Sequence, residues 1–140
     1  MMKVLFDTNV IIDALVRRED SNFARRLIQL ASIEEIDAYI CSKQITDIYY
    51  ILRKYITNEE IRRSYIQTIL ETFKLLPLLP SDLKYCLKTK MNDFEDSLLD
   101  EIASVNMINN IVTNNIKDYK NSKSIILTPK QLLDLATINK

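Results

Sequence analysis

Four stretches of this chain place acids where chemistry could be done with them. The first is Val4-Leu5-Phe6-Asp7-Thr8-Asn9, an apolar run that ends in a carboxylate, a hydroxyl and an amide. Such a run reads as a buried parallel strand, and open α/β sheets bind ligands in the crevice beyond their strands' carboxyl ends. Asp7 either points into that crevice or caps the helix that follows. Asp47 lies mid-helix among Ile45, Ile48, Ile51 and Leu52, at the edge of the apolar stripe. A carboxylate there is half-buried and needs a partner. Lys43, one turn back, is the partner that position alone favours, and a metal ion is the sharper alternative.

The third stretch, Asn92-Asp93-Phe94-Glu95-Asp96-Ser97-Leu98-Leu99-Asp100, puts Asp93, Asp96 and Asp100 on the helix face opposite Phe94, Leu98, Leu99, Ile102 and Val105. Like charges at that spacing repel by a few tenths of a kcal/mol per pair, which a cation would reverse. Asn92 with Glu95 forms a capping pair, and acids suit a first turn in any case, so the bland reading is substantial. Asp100 falls outside that explanation and is open to simple solvation. The fourth stretch, Thr113-Asn114-Asn115-Ile116-Lys117-Asp118, repeats the arrangement at Asp7: an apolar strand, then a hydroxyl, amides and an acid. Its plain alternative is a polar loop.

Absences narrow the chemistry further. The chain has no histidine and no glycine. The first removes His-based nucleophile systems, His general bases and His-ligated zinc; the second removes the P-loop and the dinucleotide fingerprint. Carboxylates without imidazole or a thiolate cluster suit a hard cation, Mg²⁺ or Mn²⁺. Acids crowded together without a cation would raise one another's pKa and cost stability. Lys+Arg and Asp+Glu balance at 19 each, so no global basic field advertises nucleic acid, and any such contact must come from local charge. Arg17-Arg18, Arg25-Arg26, Arg53-Lys54 and Arg62-Arg63 are candidates by composition, although most such pairs are solvated helix surface.

The elements that would position these acids alternate strand and helix, the pattern of a parallel sheet covered on both faces. Strands are expected at Lys3 to Phe6, Ala38 to Cys41, Ile111 to Thr113 and Ile125 to Leu127, with Lys74 to Leu79 an edge or short strand stopped by prolines. Helices are expected at Asn9 to Arg17, Phe23 to Ala31, Ser42 to Lys54, after Thr57 to Thr72, Ser81 to Lys88, Asn92 to Met107 and Lys130 to Ile138. Ser21 or Asn22, Ser42, Thr57 and Ser81 are the expected caps, and Leu83 and Leu87 are expected to face inward. With no glycine, Asn109-Asn110, Asn114-Asn115 and Asn121 are the candidates for left-handed turns. The prediction is one domain, residues 1–140, of three-layer α/β/α architecture with a central parallel sheet of four to five strands. Cys41 and Cys86 read as two buried thiols, with a disulfide open. Asp7 and Asp13 interrupt any signal-like apolar run, so a cytoplasmic protein, with no membrane association, is expected.

Taken together, Phe6-Asp7-Thr8-Asn9, Ile45-Thr46-Asp47-Ile48-Tyr49-Tyr50, Asp93-Phe94-Glu95-Asp96, Val112 to Asp118 and Leu127-Thr128-Pro129 resemble a PIN domain over essentially the whole chain. More narrowly, the chain resembles the VapC-like toxin ribonucleases of bacterial toxin–antitoxin pairs. The resemblance implies a Mg²⁺- or Mn²⁺-dependent endoribonuclease with an acidic quartet of Asp7, Asp47, Asp96 and Asp118, in which Asp7 and Asp96 are the main metal ligands. It gives Asn9, Asp93, Thr113 and Asn115 supporting roles, and implies a homodimer and a cognate antitoxin. The chain departs from the family's usual pattern in carrying Asp47 where Glu is frequent and Asn114 where a basic residue is frequent. The haloacid-dehalogenase pattern fails at Asn9, which stands where a second acid belongs. A signalling receiver would need a late-strand lysine that Thr113-Asn114-Asn115 lacks. A PIN-like module that binds RNA or protein without cutting is the non-enzymatic alternative.

Overall fold

The computed structural model describes residues 1–18 and 21–138. Five short strands form one parallel sheet: β1 Lys3–Phe6, β2 Asp37–Cys41, β3 Lys74–Leu76, β4 Asn110–Val112 and β5 Ile125–Leu127. Their order is β3-β2-β1-β4-β5. The chain thus builds outward from β1 on one side, returns, and builds outward on the other. The reversal lies between β1 and β4, paired Val4 to Asn110 through Phe6 to Val112, and this is the switch point at which α/β sheets open a crevice.

Period-two alternation sends strand side chains to both faces. Val4 and Phe6 pack into a core with helices α1 Thr8–Val16, α2 Asn22–Ser32, α3 Ser42–Leu52, α4 Glu59–Thr72 and α7 Pro129–Ile138, where the Phe6 and Phe73 rings meet edge to face at 5.0 Å. Leu5 and Ile111 face the other way, onto Leu99, Ile102 and Ala103 of α6 Phe94–Val105, which carries the short α5 Pro80–Cys86 on its flank. The expected three layers and parallel sheet are present, with the strand at Lys74 on the edge, cut short before Pro77. Cys41 and Cys86 are buried free thiols. No helix among the described residues is long and apolar enough to cross a membrane.

Several local expectations are corrected. The cap of α4 is Asn58, whose Oδ1 accepts from the Ile61 N–H at 3.1 Å, not Thr57. α6 starts at Phe94 under Asp93, so the Asn92–Glu95 pair does not form its cap. α3 begins at Ser42 itself, and the Gln44 amide oxygen accepts from the Cys41 N–H at 2.7 Å. α5 begins at Pro80, which needs no N–H partner, and Asp82 reaches back to the Leu79 N–H at 2.9 Å; Ser81 caps nothing. Asp82 and Cys86 face inward there, leaving Leu83 and Leu87 exposed.

Of the asparagines proposed for left-handed turns, only Asn121 adopts one, at φ 69°. The other positive-φ positions among the described residues are Arg17, Glu34 and Met107. Each ends a helix. After Glu34 the N–H of Glu35 reaches Leu30 O at 2.9 Å, and after Met107 that of Ile108 reaches Ala103 O at 2.8 Å, the Schellman pattern that glycine normally serves. Backbone bonding there overrides a side-chain cost of about 1–2 kcal/mol per residue.

Candidate functional site

Asp7 leaves the end of β1 at the switch point and is buried. Its Oδ2 accepts hydrogen bonds from the Thr113 hydroxyl at 2.9 Å, the Tyr119 hydroxyl at 3.0 Å and the Asn9 amide at 3.4 Å. Burial nonetheless pushes the Asp7 carboxyl up, against the lowering effect of those donors. Thr113 follows β4 and is fully buried; its Oγ1 accepts from the Asn115 N–H at 3.1 Å while its proton goes to Asp7. Asn115 therefore supports the site through its backbone, and its side chain points out to solvent. Asn9 bridges the two strand ends: its amide also reaches Thr113 Oγ1, and its Oδ1 accepts from the Asn114 N–H at 3.2 Å.

Asp96 comes from the first turn of α6. The Asp93 cap accepts from the Asp96 N–H at 2.9 Å and so holds that turn at the cleft. Partial burial, followed by the charges of Asp7, Asp93, Asp118 and Glu95, pushes the Asp96 carboxyl up to about 7. Asp118, on the 3₁₀ turn Ile116–Tyr119, is exposed and near enough to act on Asp96. Asp47 faces the same cleft, but its Oδ2 is 2.7 Å from the Lys43 ammonium, which also lies 3.8 Å from Glu95. The pairing expected from helical position alone is thus the one observed. Asp100, placed by the sequence on the acidic face, is instead buried and accepts hydrogen bonds from the loop before β5.

The acids open onto a cleft of about 380 Å³, where, among the described residues, Asp7, Asp47, Glu95 and Asp96 are set against Arg18 and Lys43. Two of its supports were not foreseen. Gln44 is buried and donates to Phe6 O at 2.7 Å and Thr8 Oγ1 at 3.3 Å, pinning α3 to the end of β1. A glutamine at the third position of a helix directly after a strand is the signal that could have revealed it. Tyr119, whose hydroxyl is buried on Asp7, sits just after the last acid and reads in sequence as an ordinary core aromatic.

Among the described residues no three acids stand close enough to grip a cation directly. A divalent ion that keeps several of its waters does not need them to. The donor set is all oxygen, and the charges of Asp7, Asp93 and Asp118 already act against the ionised Asp96. The residues present therefore fit a hydrated hard cation.

Solved structures share the fold. A chain of the VapBC2 complex from Rickettsia felis, bound to a promoter DNA fragment, superposes with a TM-score of 0.69 at 20% identity, over 91% of this chain and 98% of that one. A chain of FitAB bound to IR36 DNA gives 0.70 at 15% identity, over 90% and 94%. A chain of a toxin–antitoxin complex from Klebsiella pneumoniae gives 0.64 at 20% identity, over 90% and 97%. No curated protein sequence matches significantly. A family model does: that of the PIN domain matches residues 3–117, from the first residue of β1 to one short of Asp118. With most of its length accounted for in this way, the chain belongs to the PIN domain family.

Proposed function

We propose that this PIN domain is a Mg²⁺- or Mn²⁺-dependent endoribonuclease, the toxin of a toxin–antitoxin pair acting in the cytoplasm. The observation that carries the reading is that Asp7, at the β1–β4 switch point, and Asp96 line one cleft, with the charge of Asp118 reaching Asp96. Asp7 and Asp96 would hold the metal, with Asp118 and Asp47 beside them and Asp93 behind. Once bound, the ion would supply an activated water and stabilise charge on a phosphoryl oxygen. The chain's own contribution is orientation. Thr113, Tyr119 and Asn9 fix one oxygen of Asp7 and strip it of water, and Asp93 fixes the turn that presents Asp96. The toxin–antitoxin complexes among the structural neighbours support a cognate antitoxin as partner, and the same reading gives a homodimer.

The Lys43–Asp47 ion pair favours a second reading, a module that binds RNA or protein without cutting, because it occupies one of the four acids. Incubating the purified protein with total cellular RNA in Mg²⁺, in Mn²⁺ and in EDTA separates the two. Cutting that requires the metal is the expected result. An absence of cutting, together with a melting temperature that neither ion moves, would leave the module.

Tyr119→Phe tests the orientation argument. It deletes one of the three side-chain donors to Asp7 with almost no change in volume, so a rate about tenfold lower with KM unchanged is expected. Because that donor lowers the Asp7 pKa, its loss moves the acid limb of the pH–rate profile to higher pH. A profile that stays in place would show that Tyr119 only packs.

A further inference from the structure

α6 is the wall between two clefts of opposite charge. Glu95, Asp96 and Leu99 face the acidic cleft. Ser97, Asp100 and Glu101 face a second one, of about 620 Å³, rimmed by Lys84, Lys88, Lys90 and Lys123. We propose that this second cleft seats the backbone of the single-stranded RNA whose scissile phosphate lies in the first. The assignment rests on the nuclease reading and adds to it where the substrate is held.

The second cleft is built rather than incidental. Asp100 pins its far side by accepting from the backbone of Lys123 and Ser124 at 3.0 and 3.1 Å, and from the Ser124 hydroxyl at 2.6 Å. Asn121 reaches Lys90 O at 3.4 Å, and Cys86 donates to Ser97 O at 3.3 Å. Lys123 is bonded to Glu101 and lies 4.5 Å above one face of the Tyr85 ring. Tyr85 is 58% exposed. Its open side offers a base the stacking platform that single-strand binders use. Lys84, Lys88 and Lys90 are exposed and have no acidic partner among the described residues.

The charge distribution bears on where a polyanion can be held. The acidic cleft is lined, among the described residues, by four acids and two cations, so most of an RNA backbone needs cations outside it. Several of the arginines that composition suggested are occupied within the fold. Arg62 donates to Ile56 O and Thr57 O at 2.7 and 2.9 Å and lies over Tyr49; Arg18 bonds Tyr55 and Asp13, Arg25 bonds Asn22 and Arg63 bonds Glu59. The free lysines lie instead on the other side of a single helix, roughly 10–12 Å thick, from Asp96. An acidic protein would also suit the lysines and Tyr85, but it would gain nothing from the wall shared with the acidic cleft.

The test is Lys84→Ala/Lys88→Ala/Lys90→Ala against the control Arg26→Ala/Arg53→Ala/Lys54→Ala, which removes equal charge from α2 and the end of α3. Affinity for a fluorescein-labelled single-stranded RNA of mixed sequence is read by anisotropy over a salt series. The Asp96→Asn chain serves as parent, in Mg²⁺, so that the probe is not cut. Each phosphate contact on a single strand contributes about 0.7 to the slope of log K against log salt. The lysine triple is expected to bind about ten- to a hundredfold more weakly, with a slope shallower by about 2, and the control to stay near the parent. A lysine triple that binds like the parent overturns the second cleft, transfers it to a protein partner and leaves the nuclease reading intact. Equal losses in both triples also overturn it, since net charge alone would then be acting. A parent that binds no RNA at any salt removes the nuclease reading and this assignment with it.

Discussion

Asp96→Asn is expected to lower RNA cleavage by about 10²- to 10³-fold, the scale at which one electrostatic group acts on a developing charge, and at the same time to stabilise the metal-free protein at neutral pH. Both effects follow from one carboxylate. Asp96 accepts no hydrogen bond among the described residues, so Asn in its place disturbs no partner, and the Asp93 cap binds its backbone N–H as before. What the substitution removes is a charge that Asp7, Asp93, Asp118 and Glu95 all oppose. The unfolded chain releases the Asp96 proton near 3.8 and the folded chain near 7. Between those values the folded state binds more protons, so stability falls as pH rises. The contribution is whole below about pH 4 and gone above about pH 7. Screening at this half-exposed group reduces it to roughly 1–2 kcal/mol. Melting curves in EDTA at about pH 5 and about pH 8 should therefore diverge for the wild type and come closer together for Asp96→Asn. Mg²⁺ or Mn²⁺ should raise the wild-type curve at the higher pH and leave the variant nearly unmoved. Full cleavage by Asp96→Asn would overturn the carboxylate–metal mechanism.

Asp100→Ala is expected to cost about 3 kcal/mol of stability, the price of stranding buried donors. The carboxylate is only 4% exposed, and it accepts from two backbone N–H groups and a hydroxyl in the segment that leads into β5. Truncation leaves all three part-buried donors without their shared acceptor. For a domain of this size the loss corresponds to a fall in Tm of about 6–12 °C. Asp93→Ala, which removes only an exposed cap, should cost about 1 kcal/mol. Urea unfolding of the two variants side by side gives the comparison. A near-neutral Asp100→Ala would return that residue to the solvated acid face.

Period and punctuation made the layered architecture legible. Lys3 to Phe6 and Ile125 to Leu127 are strands with the expected bounds, and the alternation of strand and helix implies the parallel sheet. Strand order was not legible, because nothing local in β1 distinguishes β4 from β3 as its neighbour. Caps were off by a residue or two for a common reason. Thr57 and Asn92 are good cap types, but Asn58 and Asp93 are equally good and closer to the apolar face that sets the start of the helix. Left-handed turns escaped because helix-ending backbone bonds, not residue preference, placed Arg17, Glu34 and Met107 there. At the site, Asp7 and Asp96 line one cleft, and Asp118 acts on Asp96 by its charge without lining it. Asp100 did not join them: its spacing fits the acidic face of α6, and only the path of the Lys123–Ser124 loop turns it inward. Tyr119 and Gln44 show the converse, apolar-looking or neutral residues whose polar atoms act across long sequence gaps.

The hydroxyls that hold Asp7 come from 106 and 112 residues further along the chain, and β1, the middle strand, has for one neighbour a strand that begins at Asn110. Parallel pairing across so large a loop is slow, since closure must precede any reward. Domains emerge from the ribosome N-terminus first, so β1, β2 and β3 are free to associate while β4 and Tyr119 are still unmade. During that interval Asp7 has neither of its hydroxyl donors and the cleft lacks a side. Until β4 and Tyr119 are made, the site around Asp7 is therefore incomplete. The two donors then follow closely on one another, so the surroundings of Asp7 are completed late and together.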